Sequence, residues 1–329
     1  MYNWEIDVAV LIIFFTRDKQ LRQTFEAVKK ARPRKLLLWQ DGPRNENDIP
    51  GITACRDIVK DIDWECEVHT HYNEKNYGCD PSTFYGHKWA FSIVDKCIVL
   101  EDDFVANQSF FKFCKELLDK YEEDERINHI CGMNMLGDYA DCQYDYFFGF
   151  TGSNAWASWK RVVDGWDESY SFLHNESAIK NLRNIYGKKF ERWYSKAKQR
   201  EKTGVPYWES ILCFDSIMNS RLAVIASKNM VNNIGMTADS THSNTQTKFL
   251  TKTEQSLFNL KTYELEFPLK NPPYVIADLE YTKRLNKFFG VGHPLIRVRR
   301  RIYHCWKYFI YGELFKKIGA KFKQLFKGN

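Results

Sequence analysis

What this 329-residue sequence lacks narrows it first. Its nine cysteines (55, 66, 79, 97, 114, 131, 142, 213 and 305) include no CxxC pair. That argues against a zinc ribbon and for reduced thiols in a cytosol. Neither GxxxxGK[ST] nor GxGxxG occurs, so the chain has no P-loop and no dinucleotide-binding turn. The apolar run at residues 8–15 is too short to span a bilayer, and residues 1–7 have no basic n-region. The expectation is a chain neither secreted nor membrane-spanning, in which the sequons at Asn107 and Asn175 are chance triplets. No RNA- or DNA-binding motif accompanies the positive charge, so nucleic acid is not an expected partner.

What is present describes a globular protein, with 44% hydrophobic and 16% aromatic residues. Charge is unevenly spread. Residues 281–329 hold thirteen Lys or Arg against Glu313 alone, a net of +12 within a chain whose total is +6. Residues 1–280 therefore read as an acidic body and residues 281–329 as a basic tail. In that tail Ile302, Trp306, Phe309, Ile310, Leu314, Ile318, Phe322 and Leu325 recur every three to four residues, the apolar stripe of a helix. Arg299, Arg300, Arg301, Lys307, Lys317, Lys321 and Lys323 surround it. This pattern suits a helix lying on an anionic membrane surface. Packing on the protein's own body or on a partner subunit is the alternative, and a homo-oligomer stays open.

Along the body the pattern alternates. Residues 8–15 read as a strand covered on both faces, residues 18–31 as a helix with Asp18 at its N-cap, and residues 35–39 as a second strand. A helical stripe at residues 52–62, a strand at 64–71, a helix at 81–94 and a strand at 97–100 follow. This is the βαβ rhythm of a doubly wound, mostly parallel sheet, in which ligands sit at the carboxyl ends of strands. Those ends offer Thr16, Arg17, Asp41, Asn76 and Gly78. Further on, helices are expected at 124–130, 175–198 and 211–222.

Glu101, Asp102 and Asp103 follow the fourth strand without a spacer. Three acids at a buried strand end are costly unless a cation or substrate offsets them. Hard oxygen ligands on a rigid element suit Mg²⁺ or Mn²⁺, which keep one or two carboxylates and fill the rest of their shell with water and phosphate. Aromatic residues crowd 147–159, where Trp156 and Trp159 read either as a sugar platform or as core.

Several of these segments together resemble the GT-A glycosyltransferases, and specifically bacterial family-2-like enzymes related to N-acetylglucosaminyltransferase I. The markers are Asp41-Gly42-Pro43-Arg44, Asn76-Tyr77-Gly78-Cys79, Val99-Leu100-Glu101-Asp102-Asp103, the run from Asn154 to Arg161, Asn232-Asn233-Ile234-Gly235 and Thr241-His242. The resemblance covers about residues 6–280. It implies a GT-A fold with a nucleotide-sugar half, residues 1–105, and an acceptor half, residues 106–280. It also implies that Asp103 contacts a divalent metal on the donor diphosphate, with Asp102 nearer the ribose or sugar. Thr16, Arg17, Asp41, Asn76, Gly78 and Glu101 complete the donor site. Glu209, in Trp208-Glu209, matches the position of the catalytic carboxylate, where Asp is usual. Asp167 and Asp215 compete with it. Trp208 joins Trp156 and Trp159 as acceptor residues, and His242 completes the metal shell. Lys248 and Lys252 are candidates to cover the phosphates. The expected reaction is metal-dependent, inverting transfer of a sugar from a nucleotide sugar to a glycan or lipid-linked glycan in surface polysaccharide synthesis. It would take place on the cytoplasmic face of the membrane. A nucleotidyltransferase, or a non-catalytic membrane- or polyanion-binding protein, are the rivals.

Overall fold

The computed structural model describes residues 6–150, 152, 154–236 and 249–313. Its first strand, β1 (Ile6–Phe14), is apolar and buried almost throughout, as a strand with both faces covered must be. The chain then alternates through α1 (Asp18–Ala31), β2 (Pro33–Gln40), α2 (Ile49–Val59), β3 (Glu67–Tyr72), α3 (Cys79–Ile93) and β4 (Lys96–Glu101). The short β5 (Phe104–Ala106), α4 (Gln108–Lys120), β6 (Ile127–Cys131), β7 (Tyr146–Gly149), β8 (Trp156–Trp159) and α5 (Lys160–Asp164) follow. The described chain is completed by α6 (Glu176–Tyr186), α7 (Lys188–Thr203), α8 (Trp208–Met218), β9 (Leu222–Ala226), β10 (Val231–Asn233), α9 (Lys252–Gln255), α10 (Leu279–Phe289) and α11 (Pro294–Ile310).

These elements build a mixed α/β architecture around an eight-stranded sheet in the order β3-β2-β1-β4-β8-β6-β9-β7. Strands β3, β2, β1 and β4 run parallel, while β8 is antiparallel to both β4 and β6. A separate two-stranded ladder joins β10 to β5. Amphipathic helices cover the sheet: α1 buries Leu21, Phe25 and Val28, and α4 buries Phe110, Phe113, Cys114 and Leu117. Each set follows the helical period, and burying it is the main source of helix stability in such a layer.

Five sequence expectations change. Arg17, not Asp18, holds the cap position of α1, and Asp18 stands in the first turn, where its charge still suits the helix dipole. Residues 127–131 are the fully buried strand β6, not a surface helix. The helix expected at 175–198 is two helices, broken at Gly187, whose φ of 53° an L-residue adopts only with strain. The helix expected to run to 222 stops at Met218, and residues 222–226 form β9 in the sheet. The boundary expected at 280 falls inside α10, whose Tyr281 and Leu285 are buried with Tyr139, Phe147 and Ile225 of the body. The sequons at Asn107 and Asn175 have structural uses, since each side chain accepts a backbone N–H and caps a helix.

Candidate functional site

Parallel register sets the site. Phe14 pairs with Gln40, Gln40 with Tyr72 and Ile13 with Glu101, so the carboxyl ends of β1, β2, β3 and β4 finish level. The chain winds outward from β1 to β3 and returns on the other side at β4. The crevice of a doubly wound sheet opens at such a reversal. A cavity lies there. Its lining includes all seven residues expected to hold a donor: Thr16, Arg17, Asp41, Asn76, Gly78, Glu101 and Asp102.

On the β2 side, Asp41 organises the loop after β3. Its carboxylate accepts N–H bonds from Gly42 (2.9 Å), Tyr77 (3.0 Å) and Gly78 (3.0 Å), and from Asn76 Nδ2 (3.0 Å). Asn76 Nδ2 also donates to the Gly42 carbonyl at 2.8 Å. Burial pushes the Asp41 carboxyl up against the pull of these bonds. With so much of its hydrogen-bonding capacity used, Asp41 shapes the cavity wall. Gly78, at φ 85°, then turns the chain into α3, so the amino end of that 15-residue helix borders the cavity with Cys79, Ser82 and Thr83. The dipole at such a helix end favours an anion.

On the β4 side stands the acid triplet, and the cation that offsets it belongs to the chain. Arg17 NH1 donates to Asp103 Oδ2 at 2.9 Å, Nε donates to Asp102 Oδ2 at 3.3 Å, and NH2 donates to Asp102 Oδ1. Both acids are buried. Burial, with the charges of Asp103, Asp102 and Glu209, pushes Glu101 up to about 8. Burial also pushes Asp102 up, opposed by Arg17. The sequence singled out Arg17 only as a cation at a strand end; its pairing with both aspartates depends on register and was not legible.

Asp103 Oδ1 is buried without a hydrogen-bond partner. One free carboxylate oxygen of this kind fits Mg²⁺ or Mn²⁺, which need few protein ligands when phosphate supplies the others. No group of three or more His, Cys, Asp or Glu side chains suited to a metal occurs among the described residues. His242, Thr241 and Lys248 lie outside the described residues, and Lys252 is exposed at the start of α9. The Asn232-Asn233-Ile234-Gly235 segment comes to the triplet through the β10–β5 ladder. Ile234 N–H donates to the Asp103 carbonyl at 2.9 Å, and Gly235 lies against Asp103 Oδ2 so closely that a β-carbon there would overlap it.

The second half departs further from expectation. Trp156 and Trp159 are each 2% exposed and Trp208 is 5% exposed. Trp156 stacks on Trp208 with centroids 5.6 Å apart, and Trp159 Nε1 donates to the Leu118 carbonyl at 3.1 Å. Rings enclosed in this way offer no face to a sugar, so Trp156, Trp159 and Trp208 are core residues and not an acceptor platform. Trp208 instead packs on His87 of α3 at 4.8 Å and thereby seats α8. Glu209 follows it, exposed in the first turn of α8 and near enough to raise Glu101. Among its competitors, Asp215 is buried and accepts from Asn128 (3.1 Å), Asn219 (2.9 Å) and Arg221 (3.2 Å). Asp167 accepts from Ser169 (N–H 3.1 Å, hydroxyl 2.5 Å) and from the Ser171 N–H (2.6 Å). Both acids are spent on local structure. Arg44, which follows the Asp41-Gly42-Pro43 turn and was not expected among the site residues, lines the cavity and pairs with Asp48 at 2.7 Å.

No family model matches the sequence, and no curated protein does. Among solved structures, one similar in part is 4-diphosphocytidyl-2C-methyl-D-erythritol synthase from Anaerococcus prevotii. The match has 15% identity and a TM-score of 0.31, over 47% of this chain and 73% of that one. A UDP-glucose pyrophosphorylase complexed with UDP-glucose is similar at 9% identity and a TM-score of 0.26, over 49% of this chain and 71% of that one.

Proposed function

We propose that the protein transfers a sugar from a nucleotide-sugar donor, with the donor diphosphate held at the carboxyl ends of β1 and β4. The observation carrying this reading is the convergence of Thr16, Arg17, Asp41, Asn76, Gly78, Glu101 and Asp102 on one cavity, with Asp103 beside it. Anionic phosphates meet the amino end of α3 on one wall and Arg17 on the other, two features that favour negative charge. Asp103, whose Oδ1 has no hydrogen-bond partner, would hold a divalent ion, and such an ion would supply Lewis-acid stabilisation of the departing diphosphate. Arg17, paired with Asp102 and Asp103, offsets the carboxylates that would otherwise repel the phosphates. Glu209, on the first turn of α8, is the candidate base for the acceptor hydroxyl in an inverting reaction. Burial, with the charges of Asp103, Asp102 and Glu209, raises the Glu101 carboxyl and so lessens the negative charge that the phosphates meet there. The acceptor class proposed is a glycan or lipid-linked glycan in surface polysaccharide synthesis, as the resemblance implies.

Incubation with a panel of nucleotide sugars and Mn²⁺ or Mg²⁺, scoring released nucleoside diphosphate, tests the reading. At least one donor should turn over, and Asp103→Asn should reduce that turnover by about 100-fold or more. The same variant should weaken Mn²⁺ binding, read by electron paramagnetic resonance. Pyrophosphate released from a nucleoside triphosphate and a sugar phosphate, with no nucleoside diphosphate, would establish nucleotidyl transfer instead. Turnover indifferent to Asp103 would end both readings.

A further inference from the structure

We propose that α11 is a membrane-docking helix whose outward face enters the interface of an anionic bilayer. The proposal is independent of the donor reading. The helix is fixed on one side. Arg300 NH2 donates to the Phe288 carbonyl at 2.7 Å and NH1 to the Phe289 carbonyl, closing the carboxyl end of α10. His304 Nε2 lies 3.6 Å from Glu254 of α9, and Tyr308 stacks on Phe249 with centroids 4.5 Å apart. Residues 300, 304 and 308 are one turn apart, so a single face of α11 meets the protein.

The opposite face is apolar and open among the described residues. Leu295 is 83% exposed, Ile302 63%, Trp306 53% and Phe309 63%, with Val298 between them at 51%. No residue of α11 is buried. At 100° per residue these five side chains fall within about 80° of one another, centred half a turn away from residues 300, 304 and 308. Soluble proteins rarely expose a contiguous apolar stripe of this size without a use for it.

Charge identifies the occupant. Between Pro294 and Ile310 the helix carries Arg297, Arg299, Arg300, Arg301 and Lys307 and not one acid. A second copy of the helix would bring like charge to like charge, whereas a surface of anionic lipid is complementary to it. An apolar stripe containing Trp and Phe and flanked by Arg suits a helix that lies in the headgroup region. It would lie there and not cross, since no helix among the described residues is long and apolar enough to span a membrane.

The test uses the full chain and sedimentation with vesicles, either of phosphatidylcholine alone or of phosphatidylcholine with 30% phosphatidylglycerol. The expected result is partition to the anionic vesicles only, weakening from 50 to 500 mM NaCl, with a blue shift of Trp emission. Ile302→Asp combined with Phe309→Asp should lower the partition coefficient by about tenfold or more, from the lost apolar insertion. Arg299→Glu combined with Arg301→Glu should lower it similarly and remove the salt dependence. Thermal transitions matching the parent confirm that both variants fold. Absent vesicle binding would overturn the proposal, as would binding unchanged in folded variants. A concentration-dependent dimer, abolished by Ile302→Asp in the absence of lipid, would assign the face to a second copy and equally overturn it.

Discussion

Arg17 donates to two carboxylates at once, and its removal would leave neighbouring buried charges without an offset. Losing one partner of a buried ion pair costs more than the pair contributes, because the remaining charge is desolvated and unpaired. Arg17→Gln is therefore expected to destabilise the protein by about 3 kcal/mol at pH 8 by urea denaturation. The deficit should shrink towards pH 5, because Glu101 and Asp102, both raised by burial, take up protons and relieve the repulsion. Glu101 makes an opposite prediction. Its folded value, about 8, lies above the ordinary 4.5, so the native state keeps a proton that the unfolded chain releases. Its contribution to stability is whole below about 4.5 and is lost as pH rises towards 8. Glu101→Gln should flatten the pH dependence across that window and stabilise the protein at pH 8 by on the order of 1–2 kcal/mol. Urea midpoints at pH 5, 6.5 and 8 measure both effects, and a Glu101→Gln variant as pH-dependent as its parent would refute the assignment.

Between elements, the contact of the β10 end with the acid triplet is the one most open to a single methyl group. Gly235 has an ordinary backbone, so Gly235→Ala adds little conformational strain and acts through crowding of Asp103 Oδ2. Donor turnover is expected to fall by about tenfold, with a stability cost of about 1 kcal/mol, because a small displacement of a reacting geometry is amplified in rate. Unchanged turnover would mean that Asp103 is free to move without consequence. None of this juxtaposition was legible in the sequence, where Gly235 is one marker and Asp103 another, far apart. Strands β1, β2 and β4 were legible because continuous apolar runs bounded by turns leave few alternatives. Strand β6 was misread because Ile127 and Ile130 stand three apart, which satisfies a helix, while short runs carry too few positions to separate the periods. The tryptophans were misread for another reason: a local aromatic cluster does not disclose whether its rings face the core. That the seven residues would line one cavity was legible because each occupies a strand end or the turn after one, positions fixed by the alternation itself.

At the scale of the whole molecule, the change from acidic body to basic tail marks a boundary that packing puts elsewhere. Tyr281 is 2% exposed, donates its hydroxyl to Asn134 Oδ1 at 3.1 Å, and lies against Phe147 with centroids 4.5 Å apart. Leu285, one turn on, is buried in the same cluster. Helix α10 therefore belongs to the body, although its charge belongs to the tail. Helix α11 contributes no buried residue, so its share in global stability is small. Two truncations separate these roles. Ending the chain after Gly290 should cost the body about 1–2 kcal/mol, because the Arg300 closure of α10 and the rings of Tyr308 and Tyr311 that cover Phe249 are lost while the main core is untouched. Ending it after Glu280 removes Tyr281 and Leu285 from an apolar cluster and uncovers Tyr139, Phe147 and Ile225. Large-to-small changes at such sites cost about 2–5 kcal/mol each, so this chain should be destabilised by at least about 4 kcal/mol and bind a hydrophobic dye. Equal stability of the two truncations would show that α10 is an appendage and that the boundary lies where the charge changes. A large loss on ending after Gly290 would show instead that α11 is held by more than one face, which would be incompatible with an outward apolar stripe free to enter a bilayer.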